Sequence, residues 1–265
     1  MPGKYYIAVD CEGVACAVGT PGIGLADSEN YRFACLQATR EANAAARALF
    51  DVGADEVIVW DAHGSGVNLC YDELDERCRI LLGAGHKGRF VGLDSGWTAV
   101  LFIGYHAMGG TKDAVLSHTF SSKTLQTYKL NGEFAGELAI DAAYAGAHGV
   151  PVLFCASDDK CVAEARRTFG PIATVEAKRS LSWNSAISRH PAAVCKDIYR
   201  TVLEAAQKGA SAAPFTLPSP LPVEIRFPRA DLAAQARLTD KDGKPFAFTA
   251  AFTRVGVVQS VLDLF

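Results

Sequence analysis

The sequence predicts an α/β fold with a mostly parallel sheet flanked by helices, and two observations carry that prediction. Four short segments, residues 5–9, 56–60, 100–104 and 151–156, are continuous apolar runs rich in β-branched or aromatic side chains. Such runs mark strands buried on both faces. Between and after them lie longer stretches of helical periodicity, and strands alternating with helices build parallel sheets.

The elements follow in order. Residues 29–52 place Phe33, Leu36, Ala44, Ala48 and Leu49 among polar residues and stop at Gly53, a residue suited to ending a helix. Residues 134–147 repeat the pattern before Gly149 and Pro151, and two further amphipathic stretches, 158–169 and 191–208, follow the fourth strand. Past Gly209 the composition changes: Pro214, Pro218, Pro220 and Pro222 mark a linker. Two extended segments, 223–227 and 246–253, and a closing helix from Gly256 are expected beyond it. The expected division is an α/β metal-binding domain over residues 1–213 and a small C-terminal α+β element over 214–265. No internal repeat is evident.

Composition narrows the function. With 265 residues, 49% of them hydrophobic, the chain can bury a sizeable core. Its net charge is −3 and its 26 basic residues are scattered, which leaves no footprint for nucleic acid or an anionic membrane. The apolar run after the N-terminus ends at Asp10, too short for a signal peptide, and no run approaches the roughly 20 residues of a membrane span. Eight cysteines without a C-x-x-C pair read as reduced thiols, so a cytoplasmic location is expected.

In open α/β sheets ligands bind beyond the carboxyl ends of the strands, and here those ends are rich in metal-binding groups. The first strand runs into Asp10-Cys11-Glu12-Gly13, whose two carboxylates, two residues apart on extended backbone, point to one side. The second runs into Asp61-Ala62-His63-Gly64 and the third into Tyr105-His106-Ala107, each delivering an imidazole to the same edge. Glu137 follows Gly136, whose small size leaves room beside the carboxylate. Singly, an Asp-x-Glu after a strand is a cap or a solvated turn, and a lone histidine is a hydrogen-bonded core residue. Repetition across three strand ends changes that balance, because crowded carboxylates repel one another unless cations neutralise them. Five nitrogen and oxygen donors without thiolate suit zinc, and they exceed one tetrahedral site. With Asp10 bridging, they serve two ions at the roughly 3.5 to 4 Å spacing of two-metal hydrolases.

Competing chemistries lack their motifs. Neither Gly64-Ser65-Gly66 nor Gly92-Leu93-Asp94-Ser95-Gly96 has the spacing of a serine-hydrolase elbow. The glycines between Gly19 and Gly24 match neither a dinucleotide fingerprint nor a P-loop. A related amidase or esterase, an aminopeptidase for L-peptides and a non-catalytic small-molecule binding protein remain open at this level.

The segment Ala8-Val9-Asp10-Cys11-Glu12-Gly13 resembles the S-x-D-x-E-G signature of the zinc-dependent D-aminopeptidases encoded with bacterial dipeptide transporters. Glu41-Ala42-Asn43, Asp61-Ala62-His63, Gly104-Tyr105-His106-Ala107, Ser117-His118, Gly136-Glu137-Leu138 and Asp158-Asp159 follow in the family's order, so the resemblance covers the chain to about residue 200. It implies that Asp10 bridges two zinc ions, that Glu12 and His63 complete one site, and that His106 and Glu137 complete the other. It further implies a catalytic His118, short peptides with an N-terminal D-residue, or amino-acid amides, as substrates, and a homo-oligomer, a decamer of two pentamers. Ala8 stands where the signature has serine, and Cys11 occupies its variable position; neither removes a donor.

Overall fold

In the computed structural model, which describes residues 3–210 and 212–265, seven strands form one sheet in the order β3-β2-β1-β4-β7-β8-β9. These are β1 (Lys4–Val9), β2 (Glu56–Asp61), β3 (Arg79–Leu81), β4 (Ala99–Tyr105), β7 (Val152–Asp158), β8 (Ala173–Ser182) and β9 (Ser185–Ser188). All neighbours run parallel except β9, which returns antiparallel to β8.

The sheet is covered on both faces because its central strands have no polar side. In β1, Tyr5, Ile7 and Val9 face a core filled by helix α1 (Tyr31–Asp51) and α4 (Pro191–Lys208). Tyr6 and Ala8 face a second core filled by α2 (Glu137–Ala147) and α3 (Asp159–Phe169). Helix α1 buries a stripe of Ala34, Ala38, Ala42, Ala45 and Leu49, short side chains that let it lie close on the sheet. Helix α3 begins at Asp158, whose carboxylate accepts the amides of Lys160 and Cys161 at 2.9 and 3.1 Å.

A second, antiparallel sheet has the order β11-β12-β10-β5-β6, with β5 (Thr127–Leu130), β6 (Glu133–Phe134), β10 (Leu221–Arg226), β11 (Ala247–Ala250) and β12 (Thr253–Val258). It draws strands from both sides of the proline-rich segment, and its apolar face packs on Ile140 and Ala143 of α2. A short helix α5 (Ala230–Gln235) lies between β10 and β11.

Two expected elements differ. Gly256 lies inside β12, paired with Val223 of β10, so the chain does not close in an α-helix there; only the 3-10 turn Val261–Leu264 follows. The run Thr253–Val258 pairs with β10 on one side and β11 on the other, and that pairing prevails over its apolar content as a helix signal. Helix α2 begins at Glu137 rather than at 134, because Glu133–Phe134 pairs with β5 as β6 and Gly136 takes the cap position.

The order places β1 between β2 and β4, and the chain after β1 runs toward β2 while the chain after β4 runs the opposite way, toward β7. That reversal is the topological switch point where doubly wound sheets open a crevice. Asp10 follows β1 at this point and His106 follows β4.

Candidate metal centre

Two close approaches of backbone bring the first donors to the switch point. The Asp10 amide donates to the Ile103 carbonyl at 2.8 Å and the Gly13 amide to the Gly104 carbonyl at 2.7 Å, so the turn after β1 lies against the end of β4. A methyl group on Gly13 would run into the Tyr105 carbonyl oxygen, and one on Gly104, at φ +72°, into the Asp10 carbonyl oxygen. Only glycine permits this approach.

His63 is presented by a turn that Asp61 organises. The Asp61 carboxylate accepts the amides of Asn68 and Leu69 at 2.6 and 2.9 Å, and the Asn68 side chain bridges Asp61 to the His63 carbonyl. Asp61 is thus committed to backbone. His106 follows Tyr105, whose hydroxyl reaches Asp141 on α2 at 2.5 Å, and Arg89 holds Asp141 with two bonds at 2.7 and 2.5 Å. Since Glu137 lies one turn before Asp141, this buried network ties the His106 strand to the Glu137 helix.

The structure brings all five expected donors and His118 together as two groups; all of them but the buried His106 line one cleft. Asp10, Glu12 and His63 form the first: His63 Nδ1 lies 2.7 Å from Asp10 Oδ1 and 3.1 Å from Glu12 Oε2. His106, Glu137 and His118 form the second: His106 Nε2 lies 3.3 Å from Glu137 Oε1, and His118 Nε2 3.8 Å from the same oxygen. Asp10 joins them, because its other oxygen, Oδ2, is 3.4 Å from His106 Nε2.

The donor chemistry fits a metal. His106 Nδ1 faces the Ala107 carbonyl at 3.1 Å and His118 Nδ1 the Leu116 carbonyl at 2.8 Å. A carbonyl only accepts, so each Nδ1 carries a proton and each Nε2 is the atom turned toward the carboxylates, the position from which an imidazole binds a metal. Glu12 Oε2 and His106 Nε2 are buried and make no hydrogen bond. Buried polar atoms without a partner are costly, and a divalent cation between these groups would engage both.

Electrostatics point the same way. Burial works against charge on His63, yet its pKa is pushed up to about 12, because the Glu12 and Asp10 carboxylates outweigh the desolvation. His106 rises to about 10, with Glu137 overcoming the same penalty. Glu12 is held well below the usual carboxylate range by the imidazoles, His63 foremost, against burial, and Glu137 is lowered by His106 in the same way. Without metal the carboxylates thus require imidazolium protons for neutrality; a cation replaces those protons.

Around the donors sit residues that the strand-end pattern does not reveal. Lys178 on β8 is fully buried and donates to the carbonyls of Glu12, Val14 and Ala17, gathering the segment 12–17 on its ammonium. Burial lowers its pKa to about 8, with Asp158 and Glu41 opposing the shift. Glu41 accepts the Ala15 amide at 2.9 Å from the other side. Their only sequence signal is a charged residue within an otherwise buried pattern.

A switch-point cleft lined by two groups of imidazole and carboxylate donors is the layout of a metallohydrolase, and comparison with known proteins makes the class a metallopeptidase. The chain belongs to the D-aminopeptidase family, whose model matches residues 4–254. A D-aminopeptidase of Bacillus subtilis is 31% identical over 238 residues, spanning 89% of this chain and 85% of that protein. The solved structure of the Zn-dependent D-aminopeptidase DppA from Bacillus subtilis, a self-compartmentalizing protease, is similar with a TM-score of 0.88 and 27% identity. That similarity covers 98% of this chain and 93% of the other.

Proposed function

We propose that the chain is a binuclear zinc aminopeptidase that removes the N-terminal residue, in the D configuration, from short peptides. The observation that carries this reading is the position of Asp10, with Oδ1 against His63 and Oδ2 against His106. Asp10, Glu12 and His63 would hold one ion, and Asp10, His106 and Glu137 the other. When bound, zinc supplies Lewis-acid polarisation of the scissile carbonyl and acidifies water enough for attack near neutral pH.

The remaining work falls to the chain's own side chains. His118 is the catalytic proton carrier in this reading: its Nδ1–H is anchored on Leu116, and its Nε2 faces the cleft, where it can pass a proton to the leaving amine. Glu137 accepts the Phe120 amide at 2.6 Å, which fixes the loop carrying the opposite wall. Leu25, Leu116 and Trp183 line the cleft with apolar surface that limits access of water.

The self-compartmentalizing relative and the family resemblance support a homo-oligomer, a decamer of two pentamers, enclosing such sites. Eight free cysteines support a cytoplasmic setting; among the described residues no helix is long and apolar enough to cross a membrane. Hydrolysis of D-Ala-D-Ala, L-Ala-L-Ala and amino-acid amides by the purified protein tests the substrate. Turnover of the D-peptide above the L-peptide is expected. Cleavage of L-peptides alone would favour the L-aminopeptidase reading, and cleavage of amides alone the amidase reading.

A further inference from the structure

The cleft that contains the donor groups has a second charged feature. Lys123 Nζ donates to Asp27 Oδ2 at 2.7 Å, joining two loops that both line this cleft. Lys123 is the one ammonium or guanidinium among the described residues lining it, against the carboxylates of Asp10, Glu12, Asp27 and Glu137. Arg89, in the adjoining cavity, is committed to Asp141 and covered by the rings of Trp60 and Phe265. Away from the donor groups, a substrate anion entering the cleft therefore meets one ammonium, that of Lys123.

Chain geometry bounds where that cation sits. The Phe120 amide is bonded to Glu137 at 2.6 Å, and Lys123 follows Phe120 by three positions. Three residues span at most about 10 Å, and here a turn shortens them, with the Thr124 amide on Ser121 Oγ and the Leu125 amide on the Ser121 carbonyl. An extended dipeptide is about 7 Å long. With its scissile carbonyl beside Glu137 and Asp10, the terminal carboxylate of a dipeptide lies one residue further out, within reach of a lysine on this turn. The cleft volume of about 200 Å³ suits a ligand of that size.

The pairing with Asp27 leaves the ammonium available. Both side chains are largely exposed, at 74% and 54%, and exposed ion pairs of this kind are weak. A carboxylate brought in by the substrate competes with Asp27 on equal terms, with no buried charge left behind.

We propose that Lys123 is a specificity-determining residue that receives the terminal carboxylate of a dipeptide in exchange for Asp27, selecting peptides with a free carboxyl end over C-terminally blocked ones. The assignment rests on the aminopeptidase reading above.

Steady-state kinetics on D-Ala-D-Ala and its C-terminal amide test it, or on the L series if that is the one the wild type cleaves. The wild type is expected to favour the free dipeptide, and Lys123→Gln to lose roughly tenfold of kcat/KM on it, the effect of one charge-assisted hydrogen bond. The loss should fall in KM, with the amide changed less than about twofold on the same reasoning. Lys123→Arg should restore part of the preference, and Asp27→Asn should lower KM for the free dipeptide by removing the competitor. If Lys123→Gln affects both substrates alike, or neither, the proposal is overturned while the aminopeptidase reading stands. A wild type that cleaves neither overturns both.

Discussion

His106 and His118 stack face to face, their ring centroids 3.9 Å apart and their planes 11° from parallel. Each ring is anchored through Nδ1 on a backbone carbonyl, so the two Nε2 atoms emerge on the same side, toward Glu137. Geometry alone allows His118 to be a donor to the second group or a proton carrier beside it, and the two roles differ in what its removal does.

Replacing His118 with alanine is therefore expected to lower kcat by about 10²- to 10⁴-fold, the usual range for losing a general acid or base, with zinc content unchanged. Elemental analysis alongside kinetics decides the matter. A fall in bound zinc would make His118 a ligand instead.

The turn after β1 depends on backbone contact that no side chain can accompany. Gly13→Ala would drive a methyl group into the Tyr105 carbonyl, displacing Glu12 from His63. We expect at least about 2 kcal/mol of lost stability together with weaker zinc binding. A chemical melt and a zinc titration of this variant check both, and an unaltered zinc affinity would show that the turn does not position Glu12.

Glu41 gives a pH signature distinct from the metal cluster. Burial raises its pKa to about 7, against the opposing bonds from Gln37 and Ala15 and the nearby charge of Lys178. A folded-state pKa above the ordinary value means that the unfolded chain ionises first. The stability linked to this proton is complete below about pH 4.5 and is lost as pH rises through about 7, by up to about 3 kcal/mol. Glu41→Gln keeps an acceptor for the Ala15 amide and cannot ionise, so its stability relative to wild type should rise between those pH values. Urea melts at pH 5 and pH 8 measure the difference, and an equal offset at both would contradict it.

How much of this was legible in the sequence depends on which side of the sheet a residue serves. Strands β1, β2, β4 and β7 are buried on both faces, so their continuous apolar runs stand out, and the α/β class and the helices between them follow. Strand β8 carries Glu176, Lys178 and Arg179 and has no such signature. Its lysine is buried only because three carbonyls from a distant turn surround it. Strands β5 and β6 are too short to show a period, and β12 looks helical until its partners β10 and β11 are in place. For the site, Asp10, Glu12, His63 and His106 directly follow strands, where the switch-point rule directs attention. His118 lies in irregular chain, and its approach to His106 depends on long-range packing, such as the bond from the Leu116 amide to the Trp183 carbonyl at 2.8 Å.

Asp10 touches both donor groups, through Oδ1 and Oδ2, and on that contact rests the proposal of one binuclear centre. The most direct measurement is the zinc content of the purified, dialysed wild type and of Asp10→Asn, with circular dichroism of both. Two zinc ions per chain are expected in the wild type, and loss of most metal from the variant, with its secondary structure preserved. A wild type that retains no metal, or an Asp10→Asn protein that still holds two ions per chain, would contradict it.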